Sequence, residues 1–286
     1  MTNTFTLSDG RLLAYTEYGD PAGKPVFFFH GTPGSHFFRP SDAITRKLGV
    51  RLICTDRPGY GASTFQPGRR LLDWPVDIAR LADALGIGRF AVAGHSGGGP
   101  HTLACAYALA DRLTAAATLS GAGPVDAPGA TEGMNTLNRF GFKFGQYVPW
   151  PFWRIMIRWI YRERFNNPGK SMDRENGRRP PADDALISQP EVREACLQSE
   201  VEAFRPGMEG FAWDARLITR PWGFPLEGIK VPVFLWHGTA DDLTSIPMAR
   251  YMAGKIPNGK LTICEGEAHL LLFPHWEEIL TTLTKG

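Results

Sequence analysis

The sequence predicts a doubly wound, mostly parallel α/β fold interrupted by one inserted segment. Short apolar runs alternate with helix-like segments over residues 1–122 and again over 226–286. Between them, residues 123–225 are rich in aromatics, prolines and arginines and carry no such alternation. Finally, Gly94-His95-Ser96-Gly97-Gly98 stands between an apolar strand and a helix, the context in which a serine becomes a nucleophile.

The elements follow in order. Residues 11–18 read as a strand after the Asp9-Gly10 turn. Lys24-Pro25 leads into Val26-Phe27-Phe28-Phe29, an unbroken apolar run of the kind a sheet covered on both faces requires. Residues 41–48 form a short helix with Ser41 as its N-cap, and 51–55 form a strand closing at Asp56. A helix over 73–85 is stopped by Gly86 and Gly88. The strand 90–93 carries Ser96, a helix spans 99–110, and 115–119 is a small-residue strand. After the insertion come a strand at 231–236, a helix near 247–255, a strand at 261–264 and a final helix over 270–284.

The 286 residues are 43% hydrophobic and 21% charged, ordinary for a globular protein with a sizeable core. A net charge of +2 with scattered basic residues, densest at Arg69-Arg70 and Arg178-Arg179, gives no expectation of nucleic-acid binding. No apolar stretch reaches membrane-spanning length, so no membrane partner is expected. The N-terminus shows no signal-peptide pattern, which with the cysteines points to a reducing cytoplasm. Cys54, Cys105, Cys196 and Cys264 lie far apart without metal-ligand spacing and are expected to be buried thiols.

A serine alcohol is a weak nucleophile and needs a base, which in turn needs an orienting acid. Asp241 and Asp242 follow the strand ending at Trp236, and His269 follows the strand ending at Cys264. Strand C-terminal tips share one edge of a parallel sheet, so Ser96, an aspartate and His269 can converge there. Asp241 is the preferred acid, with Asp242 and Asp126 as alternatives, and His269 is the expected base. His95 is expected to point away from the nucleophile. His30 and His237 are expected to hold loops, and His101 and His275 to lie at the surface or core edge. His36 is a candidate for the site entrance, and Asp56 is expected to pair near Arg57 or Tyr60. The oxyanion needs two donors: the N–H of Gly97, and that of Thr32 in the loop His30-Gly31-Thr32-Pro33-Gly34-Ser35, since Pro33 has none.

Together with Asp56-Arg57-Pro58-Gly59-Tyr60-Gly61-Ala62-Ser63 and His237-Gly238-Thr239-Ala240-Asp241, these motifs resemble the α/β-hydrolase fold superfamily over 1–122 and about 226–286. The resemblance implies Ser96 as nucleophile, Asp241 as acid, His269 as base and Thr32 and Gly97 as oxyanion donors. It also implies that 123–225 is a mainly helical cap over the site. Serine rather than aspartate at position 96 argues against epoxide hydrolase or haloalkane dehalogenase chemistry. Proline iminopeptidases are similar in the first loop but typically have glycine where this chain has Thr32.

Of the aromatics crowded between Phe140 and Tyr161, most are expected to pack the insertion, with Tyr147, Trp150 and Trp153 as candidate pocket residues. Arg178-Arg179 and Asp183-Asp184 are expected to be solvated. The expectation is a serine hydrolase acting on a small, partly hydrophobic ester, with no metal or organic cofactor. Carbon–carbon bond or lactone hydrolysis, an iminopeptidase-like peptidase and a ligand-binding protein with a dormant triad are the alternatives.

Overall fold

The structure, a computed structural model, describes residues 2–285. Eight strands form one sheet: β1 (Asn3–Thr6), β2 (Leu12–Gly19), β3 (Lys24–Phe29), β4 (Val50–Thr55), β5 (Phe90–His95), β6 (Leu113–Leu119), β7 (Val233–Gly238) and β8 (Gly259–Cys264). Their order is β1-β2-β4-β3-β5-β6-β7-β8. β1 and β2 pair antiparallel, as does β2 with β4, and every other pairing is parallel. The chain winds outward from β3 to β4, then crosses back over β3 to β5. The C-terminal tips of β3 and β5 therefore flank the switch point where this class of sheet opens a crevice.

The apolar run in β3 shows why the sheet is covered on both sides. Phe27 and Phe29 enter one core cluster with Leu103 and Ile78, from α3 (Gly98–Ala108) and α2 (Trp74–Ala84). Val26 and Phe28 enter the opposite cluster, against Trp276, Ile279 and Leu280 of α12 (Trp276–Thr284). Successive strand side chains alternate faces, so only a run apolar at every position satisfies both cores. Helix α1 (Asp42–Lys47) begins as expected, with Ser41 Oγ accepting from the Ile44 N–H. α11 (Ile246–Lys255) covers the edge near β7 and β8.

Two expectations need correction. β1 was not anticipated in the sequence, where it is a short polar edge strand. The last helix begins at Trp276 rather than at residue 270, because Pro274 has no N–H for an interior helical turn.

Between β6 and β7 the described residues contain helices and no strand: α4 (Thr136–Phe144), α5 (Trp150–Ile160), α6 (Arg162–Asn166), α7 (Pro168–Arg174), α8 (Pro181–Ile187), α9 (Pro190–Ala203) and α10 (Glu209–Ile218). Part of this segment, including Met172, Ile187 and Cys196, packs into the α12-side core. Another part builds its own cluster around Trp153, Phe204 and Phe211. All four cysteines are free and buried.

Candidate active site

β5 ends in a turn at which Ser96 adopts φ 53°, a left-handed conformation that costs a non-glycine residue energy. The turn is held from both sides: the Ser96 N–H donates to Leu119 O (3.0 Å), and Ser96 O accepts from Ala122 N–H (3.0 Å). Its glycines are steric requirements. A Cβ at Gly94 would lie 2.2 Å from Thr102 Oγ1, and one at Gly98 2.3 Å from Phe29 O. A Cβ at Gly97 would lie 2.2 Å from Thr32 Oγ1, so the absent side chain lets the loop after β3 close onto the turn. No hydrogen bond engages the Thr32 or Gly97 backbone N–H among the described residues.

His269 and Asp241 meet as the loops after β8 and β7 converge. His269 Nδ1 lies 2.8 Å from Asp241 Oδ2. The Asp241 carboxylate also accepts from the N–H groups of Leu243 (2.9 Å) and Thr244 (3.1 Å) and from Thr244 Oγ1 (2.9 Å). Burial works to raise its pKa, but the His269 and His237 imidazoles and these donors hold it well below the usual carboxylate range. For His269, burial disfavours the charged form. The charge and hydrogen bond of Asp241 outweigh it and raise the imidazole above its ordinary 6.5, with Asp183 and Asp242 adding in the same direction. Asp242 is half-buried and Asp126 is exposed, and neither contacts His269 through a hydrogen bond.

His95 packs against His269. Its ring lies 4.6 Å from that of His269, and its Nε2–H donates to His269 O (2.9 Å). Burial, reinforced by His269, pushes its pKa down to about 3, so it stays neutral beside the His269 imidazolium.

One cavity of about 910 Å³ is bordered by Thr32, His95, Ser96, Gly97 and His269 on the sheet side. Phe142, Trp153, Ile157, Phe211 and Ile218 close it from the helical segment. Trp153 is buried and tied by its Nε1–H to Ala212 O (2.8 Å). Tyr147 is exposed, and Trp150 packs on Trp213 (4.7 Å), so neither borders this cavity. His36 is likewise absent from it: its Nδ1 bonds Asp56 Oδ2 (2.8 Å) and its N–H donates to Asp56 Oδ1 (2.7 Å). Asp56 is thus committed to His36 rather than to Arg57 or Tyr60.

Arg57 is fully buried and grips the loop after β3. Its guanidinium donates to His30 O, to Gly31 O (2.9 Å) and to Thr32 Oγ1 (2.9 Å), while Nε pairs with Asp214 Oδ2 of α10 (2.7 Å). Asp214 also pairs with Arg69, whose Nη1 lies 3.4 Å from His101 Nε2. Because arginine can only donate, His101 Nε2 accepts, and its Nδ1–H donates to Gly97 O (2.9 Å). His101 is therefore an interior residue and not a core-edge one, and burial lowers its pKa to about 3. Asp214 remains ionised although burial opposes it, because Arg57 and Arg69 hold its pKa far below the usual range. Its only trace in the sequence is a carboxylate on the apolar helix face shared with Phe211 and Ile218.

Asp183 is also buried, contrary to expectation. Its carboxylate accepts from the N–H groups of His269 (3.2 Å) and Leu270 (2.9 Å). Arg178 and Arg179 border the cavity rather than facing only solvent.

Two clusters carry metal-ligand atom types, His36/Asp56/Glu202 and Cys264/Glu267/His275. Neither includes Ser96 or His269. Within them His36 hydrogen-bonds Asp56, Glu202 pairs with Arg205, and His275 hydrogen-bonds Glu267 and Glu278.

The family described as alpha/beta hydrolase fold matches residues 24–275. The chain belongs to that family. This α/β hydrolase is 35% identical over 284 residues to a non-heme chloroperoxidase of Streptomyces lividans, covering 96% of this chain and 95% of that protein. It is 26% identical to a bifunctional esterase/perhydrolase of Acinetobacter calcoaceticus, covering 94% and 91%. The solved structure of a thermophilic esterase from Thermogutta terrifontis superposes with TM-score 0.68 at 24% identity, covering 99% and 96%. Membership of the family supports hydrolase activity.

The Asp183 geometry carries a direct test. Removing that charge in Asp183→Asn takes away one influence that raises His269, so imidazole NMR is expected to show His269 titrating at lower pH than in the native protein. An unchanged titration contradicts the coupling.

Proposed function

We propose that this α/β hydrolase cleaves a carboxylic ester or related acyl bond of a small, partly hydrophobic molecule through an acyl-enzyme on Ser96. The observation that carries the reading is the buried Asp241–His269 hydrogen bond at the rim of the cavity that Ser96 also borders. His269 Nε2 takes the Ser96 Oγ proton as the oxygen attacks the acyl carbonyl. The N–H groups of Thr32 and Gly97 receive the oxyanion. The tetrahedral species collapses as His269 returns the proton to the leaving alcohol, and water deprotonated by His269 then releases the acid.

Residues 123–225 act in this reading as a cap over a core made of 1–122 and 226–286. A cavity of this volume with mixed aromatic, aliphatic and arginine lining suits a small acyl compound with one polar end. A second reading is favoured by the names of the two full-length relatives. Hydrogen peroxide in place of water would attack the same acyl-enzyme and release a peracid.

A panel of p-nitrophenyl esters, lactones, β-diketones and N-terminal proline amides, run with and without hydrogen peroxide, separates these activities. Ester turnover is expected, and Ser96→Ala is expected to lower kcat by about 10⁶. Near-native turnover in that variant contradicts the nucleophile assignment.

The base must be neutral to act, and His269 is raised above 6.5. The acidic limb of kcat/KM is therefore expected to inflect above 6.5, with activity lost as pH falls through it. Asp241→Asn is expected to move that inflection to lower pH and to cut kcat by about 10⁴. A limb that stays in place in the variant contradicts the role of Asp241.

A further inference from the structure

Helix α5 is apolar over more than half of its circumference, with Arg154 and Arg158 on the remainder. Its inner face, with Met156, Ile157 and Ile160, borders the cavity. Its outer face presents Phe152, Ile155 and Trp159 at i, i+3 and i+7, and these are 67%, 62% and 77% exposed. The apolar sector is wider than the cavity needs, and an exposed apolar stripe of this kind marks a surface that meets something.

The charge around the stripe indicates what it meets. Arg154 and Arg158 flank it on α5, and Arg162 follows at the start of α6. The three arginines border one shallow depression together with Ile155, Trp159 and Phe165. Glu209 of α10 is the carboxylate facing them, 3.9 Å from Arg154 and 3.4 Å from Arg158. Glu163 of α6 is engaged by Arg174. Across residues 136–164 Glu163 is the single acidic residue, against six lysines and arginines.

We propose that the outer face of α5 docks the protein on an anionic lipid surface. Phe152, Ile155 and Trp159 enter the boundary between headgroups and acyl chains, and the arginine-lined depression takes lipid phosphate oxygens. A second copy of the chain is the poorer occupant, because a two-fold contact sets each arginine cluster against its own image. The expectation of no membrane partner rested on the lack of a spanning segment, and a helix lying in the interface needs none. Docking places the cavity directly behind the membrane-facing helix, a short path for a partly apolar molecule dissolved in the bilayer. The proposal is independent of the chemistry assigned to Ser96.

The test is co-sedimentation of the whole protein with vesicles of phosphatidylcholine alone or mixed two to one with phosphatidylglycerol. Binding is expected to the mixed vesicles, to weaken with added salt, and to be slight on phosphatidylcholine alone. Arg158→Gln is expected to weaken it by about fivefold. The pair Ile155→Ser and Trp159→Ser is expected to abolish it, while the circular dichroism spectrum and the thermal unfolding midpoint stay at the native values and show that the fold is intact. Native protein that remains in the supernatant with both vesicle types overturns the proposal. So does equal binding to both that the paired variant retains. A concentration-dependent dimer that the paired variant dissolves and mixed vesicles fail to displace also overturns it, and assigns the face to self-association.

Discussion

The left-handed turn at Ser96 is the constraint around which the rest of the molecule is arranged. To leave β5 and enter α3 within so few residues, the chain accepts a backbone conformation costing roughly 1–3 kcal/mol at a serine. Hydrogen bonds to Leu119 and Ala122 hold it there, and three glycines provide the space. The same missing side chain at Gly97 admits Thr32. The tight turn at Ser96 and the approach of the β3 loop therefore depend on the same missing side chain. The sheet supplies the rest: β3 and β5 are neighbours at the switch point, so their C-terminal loops must meet.

What keeps this arrangement aligned comes largely from the helical segment between β6 and β7. Asp214 on α10 binds Arg57, which grips the β3 loop, and Arg69, which reaches His101 and through it the Gly97 carbonyl. Asp183 on α8 holds the backbone of His269 and Leu270. Two buried carboxylates of one segment thus reach both sides of the serine. Buried charges contribute little stability unless every partner is in place, and removing one partner typically costs about 3–5 kcal/mol. The geometry around Ser96 is accordingly coupled to the folding of these helices.

The sheet elements were legible because unbroken apolar runs and glycine stops are local signals, as in Val26–Phe29 and at Gly86. Ser96, Asp241 and His269 were legible as positions at strand tips, since tips of a parallel sheet share an edge. The contacts of His36, Asp183 and Asp214 were not, because each partner lies far along the chain: twenty residues for His36 and Asp56, and eighty-six for Asp183 and His269. Tyr147 and Trp150 failed as cavity residues for a related reason. Aromatic composition marks a segment that packs, but the face each ring presents depends on tertiary contacts, and of the three candidates Trp153 alone borders the cavity.

The most direct measurement is peptide mass mapping after treatment with a fluorophosphonate, which phosphonylates a serine only when its hydroxyl is activated beside a base and an oxyanion site. The account predicts one phosphonyl group, on the peptide containing Ser96, absent after denaturation and absent from His269→Ala. Folded native protein that takes up no label, or takes it up at another residue, would contradict it.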